Sequence, residues 1–170
     1  EQKAKDPNLL IGGERHAEKI KGFDFGNSPL EYTQDKVLNK SIILSTTNGT
    51  QAVLKAQGSS ICIAASFINL NAIVTYLEKQ ENDLAIICSG TDGAFSLDDG
   101  LCAGLILHKL NKRKSVRTND FGRLNAIPFD KPDFSIPNLL STSFHLNRLK
   151  EKGYTPDIEY CLQLNSVPII

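Results

Sequence analysis

The sequence predicts an α/β fold, with a parallel or mostly parallel sheet and helices on each side. Three runs carry this reading: Ser41-Ile42-Ile43-Leu44, Ser60 to Ala65 and Leu84 to Cys88. Successive apolar positions mark strands buried on both faces, and that burial requires helices above and below. Each run is followed by a small polar turn and then by apolar residues at helical spacing. Strand, turn and helix therefore recur three times, as they do in α/β proteins. The recurrence is architectural, because the three units share no residue pattern.

The elements follow in order. Leu9-Leu10-Ile11-Gly12 reads as a short strand, and Gly22 to Ser28 as a structured loop anchored by Phe23 and Phe25. Ser28-Pro29-Leu30-Glu31 has the chemistry of a helix start, with a capping serine, proline at the first helical position and glutamate three residues after the cap. The first strand of the repeated pattern ends at Thr46-Thr47-Asn48-Gly49-Thr50, and Ala52, Val53 and Ala56 then form a short helical face. After the second strand, Asn69 caps a helix carrying Ala72, Ile73, Tyr76 and Leu77. The third leads through Ser89 to Ser96 into a helix from about Leu97 to Leu110. The basic stretch from Lys112 to Arg123 reads as a solvated loop. Asn138 to Lys152 is expected to be helical, stopped by Gly153, and Asp157 to Leu164 to be a last strand.

Composition bounds the function. A chain of 170 residues with 41% hydrophobic content fills one core, so a single domain over residues 1–170 is expected. The 19 basic and 19 acidic side chains leave no surplus of positive charge. That balance argues against electrostatic binding to nucleic acid or a membrane surface. A small anionic substrate stays open, since one pocket can be positive in a neutral molecule. Cys62, Cys88, Cys102 and Cys161 are widely spaced, with no metal or redox signature, and are read as reduced thiols of a cytoplasmic protein. No signal peptide is visible, and no apolar run reaches bilayer length. The chain starts at Glu1 and contains no methionine, so an excerpt lacking its N-terminal portion is expected.

Chemistry is expected at the carboxyl ends of parallel strands, where open sheets bind ligands. The residues there are Thr46, Thr47, Asn48, Gly49 and Thr50, then Ser66 and Asn69, then Ser89, Gly90, Thr91 and Asp92. Small hydroxyl, amide and glycine residues at helix starts present free N–H groups to an anion. Each such turn has a plainly structural reading as a cap. Three on one rim favour a binding site for a phosphate or carboxylate. Asp98 and Asp99 either complement a helix dipole or offer a carboxylate to Mg²⁺, and spacing alone does not choose. Glu14 is a metal ligand, a base, or half of a surface ion pair with Arg15, whose guanidinium suits an anion. His16, His108 and His145 show no ligand spacing. No Gly-x-Ser-x-Gly elbow and no Walker loop is present.

In order along the chain stand Gly13-Glu14-Arg15, Gly22-Phe23-Asp24-Phe25-Gly26-Asn27-Ser28-Pro29, Thr46-Thr47-Asn48-Gly49-Thr50 and Ser66-Phe67-Ile68-Asn69. They are followed by Gly90-Thr91, Phe95-Ser96-Leu97-Asp98-Asp99, Ala103-Gly104, and Leu139-Leu140-Ser141 with His145. This ordered set resembles the 2-phosphosulfolactate phosphatases, the ComB-like family, across nearly the whole chain. No single motif is specific; their order is. The resemblance implies a three-layer α/β/α fold and a Mg²⁺-dependent phosphoric monoester hydrolase. The implied reaction takes 2-phospho-3-sulfolactate to 3-sulfolactate and phosphate, on the route to coenzyme M. The family opens with a further strand and turn of the form Ile-Asp-Val-Leu-Arg-Ala, which has no counterpart before Leu9. Leu146 follows His145 where the family has glycine, and Asn165 stands in place of aspartate.

The resulting assignment makes Glu14, Asn48 and Asp98 catalytic, and Glu14, Asp98 and Asp99 the metal ligands. Arg15, Asn27, Ser28, Thr46, Thr47, Gly49, Thr50, Ser66, Asn69, Gly90 and Thr91 contact substrate. The expected partner is a small anionic phosphate ester, with no nucleic acid and no membrane; a homo-oligomer is compatible. Two alternatives stand beside it: a phosphatase of the same fold acting on another phosphorylated 2-hydroxy acid, and a non-catalytic anion-binding α/β module.

Overall fold

The computed structural model describes Asp6 and residues 8–169. The chain divides into two compact units, Glu1–Gln57 and Gly58–Ile170.

The first unit is built on a three-stranded sheet in the order β2-β1-β3. Strand β1 covers Leu9–Arg15, β2 Glu18–Lys19 and β3 Ser41–Ser45. Two residues, His16 and Ala17, turn β1 into β2, with φ of 55° and 63°. A two-residue turn with both φ positive matches the twist of an antiparallel pair, so Arg15 meets Glu18 directly. Strand β3 runs parallel to β1, with Leu9 opposite Ser41 and Gly13 opposite Ser45. Between them lie a 3₁₀ turn at Pro29–Glu31, started by Ser28 as expected, and the single-turn helix α1, Gln34–Val37. Close approach explains the paired glycines at the end of β1. A Cβ on Gly12 would lie 1.9 Å from the Tyr32 hydroxyl, and one on Gly13 would lie 1.9 Å from the Ser45 carbonyl oxygen. Helix α2, Gly49–Lys55, follows the Thr46–Thr50 turn.

The second unit is helical around one apolar cluster. A 3₁₀ turn at Phe67–Asn69 leads into α3, Leu70–Glu78, which buries Leu70, Ile73, Val74 and Leu77 on one stripe. Helix α4, Leu97–Arg113, buries Leu101, Leu105, Ile106 and Leu110 against it. Helix α5 spans Asp120–Ala126 and continues into a 3₁₀ turn at Ile127–Asp130. Helices α6 (Ile136–Leu140), α7 (Phe144–Glu151) and α8 (Thr155–Cys161) close the cluster with Leu140, Leu146 and Ile158.

The α/β class holds, and several elements differ from expectation. Among the described residues the sheet is small and mixed, with parallel pairing confined to β1 and β3. Ser60–Ala65 and Leu84–Cys88 join no ladder. Their side chains still point in strand fashion: Ile63 and Ile86 pack on the core, while Ile61 and Ile87 are 52% and 42% exposed. An apolar pattern reports which faces are covered and says nothing of whether an edge finds a partner. Strand β3, read as buried on both faces, leaves Ile43 and Leu44 exposed. The segment read as a last strand is α8, because Pro156 opens a helix and Ile158 and Leu162 meet the core at i, i+4. The helix expected over Asn138–Lys152 is broken at Ser141–Ser143, where the Ser143 hydroxyl caps α7 by accepting from Leu146 N–H at 3.2 Å. The basic stretch is not simply a loop, since α4 runs on to Arg113 and α5 starts at Asp120 under an Asn119 cap.

Helix α5 docks on α4 through Gly104, where a Cβ would sit 2.0 Å from the Asn125 carbonyl oxygen. Backbone cannot yield as a flexible side chain can. Gly104→Ala should therefore destabilise the fold by about 1–3 kcal/mol despite alanine's better helix propensity. Urea unfolding of the variant against the wild type measures it.

Candidate active site

In the first unit, the end of β1 is tied to the turn after β3 by one carboxylate. Glu14 Oε1 accepts the backbone N–H of Thr47 at 2.7 Å, and Oε2 accepts the Ala17 N–H at 2.8 Å and the Thr47 hydroxyl at 3.2 Å. Burial pushes this carboxyl up, but the Thr47 and Ala17 N–H groups, the Thr47 hydroxyl and the neighbouring Arg15 charge outweigh it. The net result is a pKa below the ordinary value, so Glu14 is ionised at neutral pH. Arg15 is held at the same strand end. Its guanidinium donates to the Ser45 hydroxyl at 2.9 Å and to the Glu14 carbonyl at 2.7 Å. Thr46 and Thr50 cap each other: Thr46 N–H donates to Thr50 Oγ1 at 3.0 Å, and Thr50 N–H to Thr46 Oγ1 at 3.2 Å. Asn48 occupies the N-cap of α2 with no side-chain cap bond, and Gly49 opens the helix. Ser28 accepts from Leu30 N–H at 3.3 Å, while Asn27 is exposed. The unit thus joins Glu14 to Thr47, whereas Ser28 is occupied in its own cap.

In the second unit, Ser66 and Asn69 form a capping box. Asn69 Oδ1 accepts the Ser66 N–H at 2.9 Å, and the Asn69 amide donates to the Ala64 carbonyl at 3.1 Å. Their polar atoms start a helix, which is the bland role such residues have in most turns. The loop after Cys88 is more telling. Gly90, at φ +70°, turns its N–H onto Asp99 Oδ2 at 2.6 Å. The Thr91 hydroxyl donates to Ser96 Oγ at 3.1 Å, and the Ser96 hydroxyl to Asp98 Oδ1 at 2.5 Å. Ser96 is itself buried. The first turn of α4 and the loop before it are therefore one hydrogen-bonded body. Arg148 on α7 joins it through Asp92 Oδ2 at 3.0 Å. Sequence reasoning named Asp92 and His145, quoted Ser96 within a motif without giving it a role, and passed over Arg148. The i, i+3 spacing of His145 and Arg148, which puts them on one face of a helix, was the available signal.

Two like charges next to each other in a part-buried place have a cost. Burial pushes the Asp99 carboxyl up; the Gly90 N–H opposes that, the Asp98 charge adds to it, and His145 and the Ser89 N–H pull it back only in part. The same surroundings silence the thiols. Burial and then the Asp99 charge push Cys102 up to about 12, and Cys88 is raised for the same reasons, so neither offers a thiolate nucleophile at neutral pH. Among the described residues, no group of three or more His, Cys, Asp or Glu side chains converges, so a metal here would rest on carboxylate pairs, hydroxyls and ligand oxygens. No described helix is long and apolar enough to cross a membrane.

Comparison with known proteins agrees with this oxygen-rich chemistry. A family model for 2-phosphosulpholactate phosphatase matches residues 1–170. A relative from Caldanaerobacter subterraneus subsp. tengcongensis, described as a probable 2-phosphosulfolactate phosphatase, is 38% identical over 95% of this chain and 67% of its own length. Proteins with the same description from Clostridium perfringens strain SM101 and Thermotoga petrophila are 39% and 43% identical. Those matches span 100% and 94% of this chain, and 68% of each relative. In class, the chain is a phosphoric monoester hydrolase. More narrowly, it belongs to the 2-phosphosulpholactate phosphatase family.

The raised Asp99 carboxyl has a sign that can be checked. A carboxyl whose folded pKa lies above its unfolded value near 3.8 adds stability only while protonated, and that contribution is lost as pH rises through the folded value. Asp99→Asn keeps an oxygen for the Gly90 N–H and removes the charge. The variant should match or exceed wild-type thermal stability at pH 7, with its relative gain growing as pH rises from 4 to 7. Melting curves over that pH series are the measurement.

Proposed function

We propose that the protein hydrolyses the phosphate monoester of a 2-hydroxy acid, with Mg²⁺ as cofactor. The substrate we assign is 2-phospho-3-sulfolactate, which yields 3-sulfolactate and inorganic phosphate on the route to coenzyme M. The observation that carries this reading is the Asp98–Asp99 pair at the start of α4, Asp99 accepting from the Gly90 N–H and Asp98 from the Ser96 hydroxyl. Family membership supports the phosphate monoester as substrate class.

The residues present suit magnesium. Carboxylates are hard oxygen donors, and Mg²⁺ is commonly held by one or two of them, with waters and substrate phosphate oxygens completing the octahedron. The charge strain at Asp99 is the kind a divalent cation relieves. Asp98 and Asp99 are the ligands we assign in the second unit, with Glu14 a candidate in the first. When bound, the ion neutralises phosphoryl oxygens and lowers the pKa of attached water.

The chain's own groups supply the rest. Phosphoryl transfer spreads negative charge over equatorial oxygens, so preorganised N–H and hydroxyl donors stabilise the transition state. In the first unit we assign that role to Thr46, Thr47, Asn48, Gly49 and Thr50. Arg15 and the pair Asn27 and Ser28 contact the acid groups of the substrate. In the second unit Ser66, Asn69, Gly90 and Thr91 serve as donors. For residues 1–170 we infer a single three-layer α/β/α domain with a mostly parallel sheet. The one-sided packing of Ile63 and Ile86 supports it, because the opposite face, bearing Ile61 and Ile87, is apolar and uncovered.

The test is phosphate release by the full-length protein from a panel of phosphorylated 2-hydroxy acids. Release should require Mg²⁺, vanish with EDTA and return on adding Mg²⁺, with the highest kcat/KM for 2-phospho-3-sulfolactate. A better ester in the panel would reassign the substrate, and no release from any of them would sink the proposal. Asn48→Ala should lower kcat by about tenfold or more, the lower edge of what one lost transition-state donor costs. Unchanged kinetics would remove the turn from the mechanism.

A further inference from the structure

Helix α7 carries a polar atom that nothing in the fold uses. His145 Nδ1 is shut off from solvent and has no hydrogen-bond partner among the described residues. Leaving a buried ring nitrogen unpaired costs about 1–3 kcal/mol, so such an atom calls for a reason. The rest of α7 is firmly placed. Ser143 caps it at 3.2 Å, Leu146 is buried one residue beyond His145, and Arg148, one turn on, grips Asp92 at 3.0 Å. The unpaired nitrogen is therefore not a sign of a loose helix. His145 sits on the helix that faces the Gly90–Asp99 body, close enough for its charge to act on the Asp99 carboxyl. Asp99 Oδ2 accepts from the Gly90 N–H at 2.6 Å, and the Ser89 N–H also acts on this carboxylate. His145 as a whole is only part-buried, so its ring is not wholly enclosed.

We propose that His145 is a substrate-contacting residue, oriented by Asp99. In the complex both ring N–H groups donate, Nδ1–H to the Asp99 carboxylate and Nε2–H to a phosphate or acid oxygen of the substrate. A carboxylate behind an imidazole fixes its ring orientation, as it does for histidines at many metal and hydrolytic sites. The inference rests on the phosphatase reading above and adds a residue to it.

The experiment combines kinetics with a direct view of the ring. Full-length protein labelled with ¹⁵N-histidine is titrated with inorganic phosphate in the presence of Mg²⁺, and the His145 signals are assigned by their loss in His145→Gln. Saturation should move both ring nitrogens of His145, with His16 and His108 as internal controls. In phosphate release, His145→Ala should lose about 10- to 100-fold in kcat/KM, the range seen when an orienting shell is broken. His145→Gln, whose amide nitrogen reaches the place of Nε2, should recover part of that loss. His145→Asn, which mimics only Nδ1, should not. A purely structural histidine would instead lower the melting temperature of all three variants and leave kcat/KM of the folded fraction unchanged. That pattern, or a wild-type ring that phosphate does not shift at saturation, overturns the inference while the phosphatase reading stands. A wild-type protein that releases no phosphate from any ester overturns both.

Discussion

Helix α4 has to satisfy two demands with one face. Its middle turns fill the core of the second unit with Leu101, Leu105, Ile106 and Leu110, so its axis cannot shift without opening voids. Its first turn carries Asp98 and Asp99, and the geometry that buries Leu101 also draws Asp99 part of the way under cover. The carboxylates inherit their positions from apolar packing two residues away. A loop-borne acid would relax toward water, but an acid on the first turn of a 17-residue buried helix cannot. The Gly90 N–H and the Ser96 hydroxyl offset part of the resulting cost without abolishing it. Perturbed carboxyls of this kind cluster where a function uses them.

How far the sequence disclosed this arrangement depended on which physical signal each element carries. Helix α4 was legible because its apolar positions recur at helical spacing and Ser96 precedes two acids, a pattern that stands on local chemistry alone. The hydroxyl and glycine residues of the turns were legible as turns for the same reason. Pairing was not. Ile61 and Ile63, or Ile86 and Ile87, announce an extended apolar segment, but a ladder needs a second edge that no local pattern encodes. Helix α8 was misread because Ile158, Cys161 and Leu162 fit a short apolar run as readily as a helix stripe, and Thr155-Pro156 was the overlooked arbiter. Arg148 escaped because its partner lies 56 residues away, at Asp92, and long-range ion pairs leave no trace in spacing. The ordered family motifs reached further than any of these, since order along a chain integrates contacts that local physics cannot see.

The strand-end turn of the first unit invites a harder question, because most of its donors have partners already. Thr46 and Thr50 exchange hydrogen bonds, and the Thr47 N–H and hydroxyl go to Glu14. A turn with its donors occupied looks like poor equipment for an anion. The identity of the partner argues the other way. What sits on Thr47 is a carboxylate, at 2.7 Å, and it stays ionised there against the pull of burial. The turn therefore binds an anionic oxygen in this structure, one from its own chain. Exchange of one anion for another at fixed donors is nearly neutral in hydrogen-bond count, so the cost of admitting a phosphate oxygen is set by where Glu14 goes. In the proposed function Glu14 would hold the cation, and the Thr47 N–H and hydroxyl that it now occupies would serve the ester. The proposed anion-binding role of Thr46 to Thr50 is thus supported by the contact of Thr47 with a carboxylate, and Glu14 is the residue through which the turn meets charge.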